Sequence, residues 1–130
     1  MTANKYEPIQ EIILEITTGS KRKDATDDAV ILDIGGHSWE LDLPKYDDFE
    51  RGKTDRYELA VPEGMDSSWF RFLCFKKKGD LQRDDEWLLA KVKLTINSKV
   101  VYEKDNLNAL LKVDRNRWCA PDFSYGKAGE

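Results

Sequence analysis

Apolar residues in this chain return at every second position, and a period of two is met only by strands that bury one face and wet the other. Ile12, Leu14 and Ile16 alternate with Ile13, Glu15 and Thr17. Val30, Leu32 and Ile34 alternate with Ile31 and Asp33, and Trp39, Leu41 and Leu43 with Ser38, Glu40 and Asp42. Tyr57, Leu59 and Val61 continue the pattern until Pro62 stops it, and the aromatic run 69–75 reads as a strand buried on both faces. Between Trp87 and Ile96 the parity slips, with Trp87 and Leu89 out of phase with Val92, Leu94 and Ile96, which predicts a bulge near Leu89. Gly35-Gly36 and Asn97-Ser98 are hairpin turn residues, the second leading into a strand over 99–103. Asp105 is placed to cap a short helix reaching Leu110 or Leu111, and 113–123 reads as a last strand or packed tail.

Seven or eight short strands with almost no helix predict an all-β fold, an antiparallel β-sandwich. A chain of 130 residues with 40% hydrophobic and 11% aromatic residues supplies one core of that kind. The sandwich is expected over 9–123, between a flexible N-terminal segment 1–8 and a flexible tail 124–130. Against 21 Lys and Arg stand 25 Asp and Glu, and a net charge of −4 has the wrong sign for general nucleic-acid binding. No run approaches the roughly 18 apolar residues of a membrane-spanning helix, and the first residues lack the apolar middle of a secretory signal. The expectation is a cytoplasmic location, with secretion as the reading if the chain is cut from a larger protein. Cys74 and Cys119 are too few for a disulfide scaffold and too isolated for a zinc site, and are read as reduced thiols.

Residue inventory argues against an enzyme. His37 is the single histidine and follows Gly35-Gly36, so it reads as a turn residue rather than a base awaiting a nucleophile. There is no phosphate-cradling Gly-rich loop and no dinucleotide fingerprint. Trp39, Trp69 and Trp87 lie within strand patterns and are expected between the sheets, and Trp118 is expected to clamp the tail.

Acidic pairs stand at loop ends: Asp27-Asp28, Asp47-Asp48 and Asp84-Asp85, with Asp24 and Asp42 close by. Loops at one end of a sandwich converge, so carboxylates distant in sequence become neighbours. Clustered oxygen ligands of like charge suit Ca²⁺, which takes six to eight of them. The other reading is of solvated acids paired with Lys21, Arg22, Lys23 and the triplet Lys76, Lys77 and Lys78.

Three segments, in order and spacing, resemble the PLAT or lipoxygenase-homology family. They are Thr18-Gly19 with Asp24 to Val30, then Phe49-Glu50-Arg51-Gly52-Lys53-Thr54-Asp55-Arg56-Tyr57, then Asp85-Glu86-Trp87 to Val92. Within the family, Trp39 to Asp42, Arg71-Phe72 and the hairpin from Asn97 to Asp105 look most like the carboxy-terminal domain of the alpha-toxin phospholipases C. The resemblance implies a non-catalytic, antiparallel eight-stranded β-sandwich of the PLAT type that docks on lipid surfaces or partner proteins, with Ca²⁺ held in the loops at one end in several members. Carried over by position, one metal site would use Asp24, Asp85 and the Glu86 carbonyl, and another Asp27, Asp42 and Asp48. Lys76, Lys77, Lys78, Leu81, Leu43 and Tyr46 are the candidates for contact with a peripheral membrane lipid or a protein. The alternative reading is a metal-independent protein-recognition module.

Overall fold

A computed structural model describes residues 6–20, 29–41, 50, 52–78, 86–112 and 115–123. Among them run nine strands: β1 (Ile12–Thr18), β2 (Ala29–Ile34), β3 (His37–Leu41), β4 (Thr54–Leu59), β5 (Leu73–Lys78), β6 (Trp87–Ile96), β7 (Lys99–Lys104), β8 (Ala109–Leu111) and β9 (Arg117–Cys119). All pairings are antiparallel. One sheet has the order β4-β1-β6-β7, with β8 also on β6, and the other has the order β3-β2-β5-β9. The protein is thus the two-sheet sandwich that the alternation predicts.

The alternating apolar residues meet between the sheets. Leu14, Ile16, Val30, Leu32, Ile34, Phe75, Trp87, Val92 and Leu94 are fully buried there. The parity slip in β6 is a bulge: Thr17 faces Lys91 while Thr18 faces Leu89, so Ala90 is the extra residue. It returns Trp87 and Leu89 to the inner face. Gly35, Gly36, Asn97 and Ser98 all have positive φ, as both two-residue hairpin turns require.

Three local expectations are corrected. The run 69–75 is not one strand, because Ser67–Trp69 form a 3₁₀ turn capped by Asp66 and β5 starts only at Leu73. The helix expected after Asp105 is absent from the described residues. Asn106 and Asn108 both take positive φ, Leu107 N donates to the Ala90 carbonyl at 2.8 Å, and β8 then pairs with Trp87–Leu89 along the edge of β6 that β7 leaves open. Cys74 and Cys119 are not free thiols. They are direct partners across β5 and β9, with Cα atoms 4.0 Å apart, and form a disulfide.

The disulfide is one of several ties on the end of the chain. Trp118 stacks on Phe75 at 6.3 Å, the clamp expected of it. Phe123 is buried edge-on against Tyr102, whose hydroxyl donates to Asp122 Oδ1 at 2.9 Å. Among the described residues no helix is long and apolar enough to cross a membrane.

Candidate functional site

Registers decide which loops share an end. Thr17 at the close of β1 pairs with Thr54 at the start of β4, and Thr18 pairs with Leu89 near the start of β6. In the other sheet, Ala29 at the start of β2 pairs with Lys78 at the close of β5, and Val30 pairs with Leu41 at the close of β3. The β1–β2, β3–β4 and β5–β6 connections therefore all leave one pole of the sandwich. These are the connections that carry the acidic pairs.

Backbone hydrogen bonds fasten the roots of these loops together. Gly19 N donates to the Leu88 carbonyl at 3.0 Å, Gly52 N to the Thr18 and Gly19 carbonyls at 3.1 and 3.0 Å, and Thr18 N to the Lys53 carbonyl at 3.0 Å. Gly52 sits at φ 72°, in the left-handed region, with Ser20 Cβ 3.7 Å from where a side chain would start. Beneath this knot, Trp87 Nε1 donates to Thr18 Oγ1 at 3.0 Å in the buried interior. Asp55 and Tyr57, the last two residues of the family-like pattern in the middle segment, face inward and are buried. Of the motif residues, Asp55 and Tyr57 thus build the interior beneath the pole, and the exposed Gly52 ties its loop root through its backbone.

Asp24, Asp27, Asp42, Asp48 and Asp85 lie outside the described residues, as do Leu43, Tyr46 and Leu81. Glu86 is half-buried beside Trp87, and its carboxylate pairs with Lys112 at 3.4 Å. Among the described residues no three His, Cys, Asp or Glu side chains gather as a metal site.

The basic triplet does not form one exposed patch. Lys76 is exposed, whereas Lys77 follows Leu73 and Phe75 at period two on the inner face of β5 and is fully buried. That alternation was the signal: two positions earlier and four positions earlier the chain is apolar. Lys76 stands opposite Arg117, which approaches Asp33 at 3.6 Å.

A family model for the PLAT/LH2 domain matches residues 12–127. The chain belongs to the PLAT/LH2 family. Among solved structures, this PLAT domain superposes on alpha-toxin from Clostridium absonum with a TM-score of 0.77 at 24% identity, over 90% of this chain and 32% of that one. Alpha-toxin from an avian strain of Clostridium perfringens gives a TM-score of 0.71 at 25% identity, over 91% and 32%. Coral 8R-lipoxygenase, whose calcium activation runs through a C2-like domain, gives 0.60 at 18% identity, over 85% and 16%. The PLAT domain thus spans about a third of the toxin chains and about a sixth of the lipoxygenase. A search of curated proteins returned no match.

Proposed function

We propose that this PLAT domain is a non-catalytic docking module whose loop pole meets an anionic lipid surface with Ca²⁺ as the bridging ion. The observation that carries the reading is the convergence of the β1–β2, β3–β4 and β5–β6 roots on one pole, since those connections hold Asp24, Asp27, Asp42, Asp48 and Asp85. The donor set fits calcium: carboxylates and a backbone carbonyl are hard oxygen ligands, and no thiol or imidazole is among them. Asp24, Asp85 and the Glu86 carbonyl would hold one ion, and Asp27, Asp42 and Asp48 another. Bound there, Ca²⁺ would neutralise the loop acids and offer open coordination positions to lipid phosphate.

The chain's own residues supply the rest. Lys76 adds an exposed cation, worth about 1 kcal/mol near an anionic surface, and Leu43, Tyr46 and Leu81 are the apolar side chains available to the same loops. The knot at Gly19, Gly52 and Leu88 holds the loop roots against the core, so the backbone from which each loop leaves is fixed before any ligand binds. The disulfide supports a working environment outside the reducing cytosol, because such bonds persist in oxidising compartments.

Calcium titration followed by thermal melting tests the metal, since a bound ion raises stability as RT ln(1 + [L]/Kd). Melting higher in calcium than in EDTA, with the gain lost in Asp85→Asn, is the expected result. Co-sedimentation with anionic vesicles, with and without chelator, tests the lipid. Equal melting in both conditions and no sedimentation in either would overturn this reading in favour of metal-independent protein recognition.

A further inference from the structure

The pole opposite the acidic loops carries a cleft of its own. It holds about 500 Å³ and is lined by Gly35, Gly36, His37, Ser68, Trp69 and Arg71. Its size falls within the range of small-molecule sites, which pair aromatic walls with a few placed polar groups. One wall is the tight β2–β3 turn; the other is the 3₁₀ turn that replaces the expected strand.

The two walls are locked at a fixed distance. Gly35 N donates to the Phe72 carbonyl at 3.2 Å, and a Cβ on Gly35 would stand 1.6 Å from the Trp69 carbonyl oxygen. Gly36, at φ 98°, has nothing within 4 Å of its missing Cβ, so this side of the turn is open. The His37 and Trp69 rings lie 6.2 Å apart at 53°, and His37 is braced edge-on against Trp39 at 4.5 Å. The result is a bent, half-buried aromatic wall.

The polar groups are of one kind. Ser68 is occupied, since its N–H and its hydroxyl both donate to Asp66 Oδ1. Among the described residues, the Arg71 guanidinium, the His37 ring and the Trp69 indole N–H have no hydrogen-bond or ion-pair partner. Each can donate. Among the described residues the lining itself has no carboxylate, those of Asp33 and Asp66 at its margin being engaged by Gly36 N–H and by Ser68, and Arg71 is the one permanent charge in it. One guanidinium fork matches one carboxylate in bidentate geometry. A polyanion is disfavoured by a chain whose net charge is −4. The aromatic wall, for its part, suits a ring with an apolar face.

We propose that this cleft binds an acidic sugar: a pyranose ring lying on Trp69 and His37 with a single carboxylate held by Arg71. The site stands apart from the calcium loops and does not depend on them.

The test uses the full chain in EDTA, so that failure of the lipid reading leaves it untouched. Glucuronate is titrated while the Trp69 indole N–H resonance, identified with Trp69→Phe, is followed by NMR. Glucose, acetate and glucose 6-phosphate are run beside it. The expected result is saturation by glucuronate with a Kd on the order of 1 mM, tenfold or more tighter than each of the others. Arg71→Gln is expected to weaken binding by about tenfold or more. Its melting temperature should be unchanged, because Arg71 is exposed. Lys99→Gln, at the same pole, should bind as the parent does. No saturation by about 50 mM, equal binding of glucose or acetate, tighter binding of glucose 6-phosphate, or full binding by Arg71→Gln would each overturn the proposal.

Discussion

Thr18 Oγ1 accepts the indole N–H of Trp87 at 3.0 Å, joining the last residue of β1 to the first of β6 where both are buried. Both residues lie on the loop side of the bulge at Ala90, and the loops that leave β1 and enter β6 are two of the three that carry the acids. A buried polar group is costly to strand and modest in worth when paired, so this bond fixes where the pole is closed. Thr18→Val keeps the shape and removes the acceptor. It should lower stability by about 1–3 kcal/mol, read as a shift in urea midpoint at constant slope. Thr18→Ser should recover most of the loss.

The lysines of β5 separate by face. Lys76→Ala should change stability by less than about 0.5 kcal/mol, as exposed substitutions do. Lys77→Ala removes a side chain that is fully buried, and with it the packing of a long aliphatic stem. A loss of about 2 kcal/mol or more is expected. Equal effects in parallel denaturant melts would mean that the strand alternation does not extend to Lys77.

The disulfide gives a third prediction. Cys74 and Cys119 close a loop of sequence separation 45 and hold the three-residue β9 on the edge of the second sheet. Replacing both by Ala should cost about 2–4 kcal/mol. Because Cys119 is exposed, a reducing agent added to the parent should reproduce that loss, and the double variant should ignore it.

Legibility in the sequence followed the reach of each signal. The two-residue period located β1 to β4 because it reports burial of one face, and burial is what the sandwich enforces at Leu14, Leu32 and Tyr57. The slip near Leu89 reported a real bulge for the same reason. Local signals failed where a distant partner decided. Asp105 has the side chain of a helix cap, but the open edge of β6 at Trp87–Leu89 claims Ala109–Leu111 as a strand. Two cysteines 45 residues apart carry no pairing information until β9 lands beside β5. Lys77 was readable from Leu73 and Phe75, but three consecutive lysines suggest a solvated patch more strongly than they suggest a strand. Of the site, the sequence located the acids at loop ends, and the strand registers add that those loops leave a common pole.

Gly35 tests the other pole. It sits at φ 59°, and any Cβ there would meet the Trp69 carbonyl oxygen at 1.6 Å. Gly35→Ala combines a left-handed backbone with a main-chain clash, so about 2 kcal/mol or more should be lost. Gly36→Ala meets no atom within 4 Å and carries only the backbone term at φ 98°. The ordering of the two melting temperatures, with Gly35→Ala the lower, checks the close approach of the β2–β3 turn to the 3₁₀ turn.

Tyr102 and Asp122 predict how stability depends on pH. Burial, and then the hydrogen bond to Asp122, push the Tyr102 phenol well above its ordinary value. That same hydrogen bond, with the Lys104 ammonium at 3.4 Å, holds the Asp122 carboxyl below its own. A lowered carboxyl stabilises the fold above its unfolded pKa of about 4, and the gain fades as pH falls through the folded value. A raised phenol stabilises it below an unfolded pKa of about 10, and the gain fades as pH climbs beyond that. Both contributions are present between those limits. Asp122→Ala should therefore flatten the dependence of melting temperature on pH at the acid end and weaken it at the alkaline end. In an alkaline absorbance titration, Tyr102 should ionise above the ordinary tyrosine range, and Tyr102→Phe should remove that late step. Persistence of the late step in Tyr102→Phe would place the raised phenol elsewhere and release the tail from this contact.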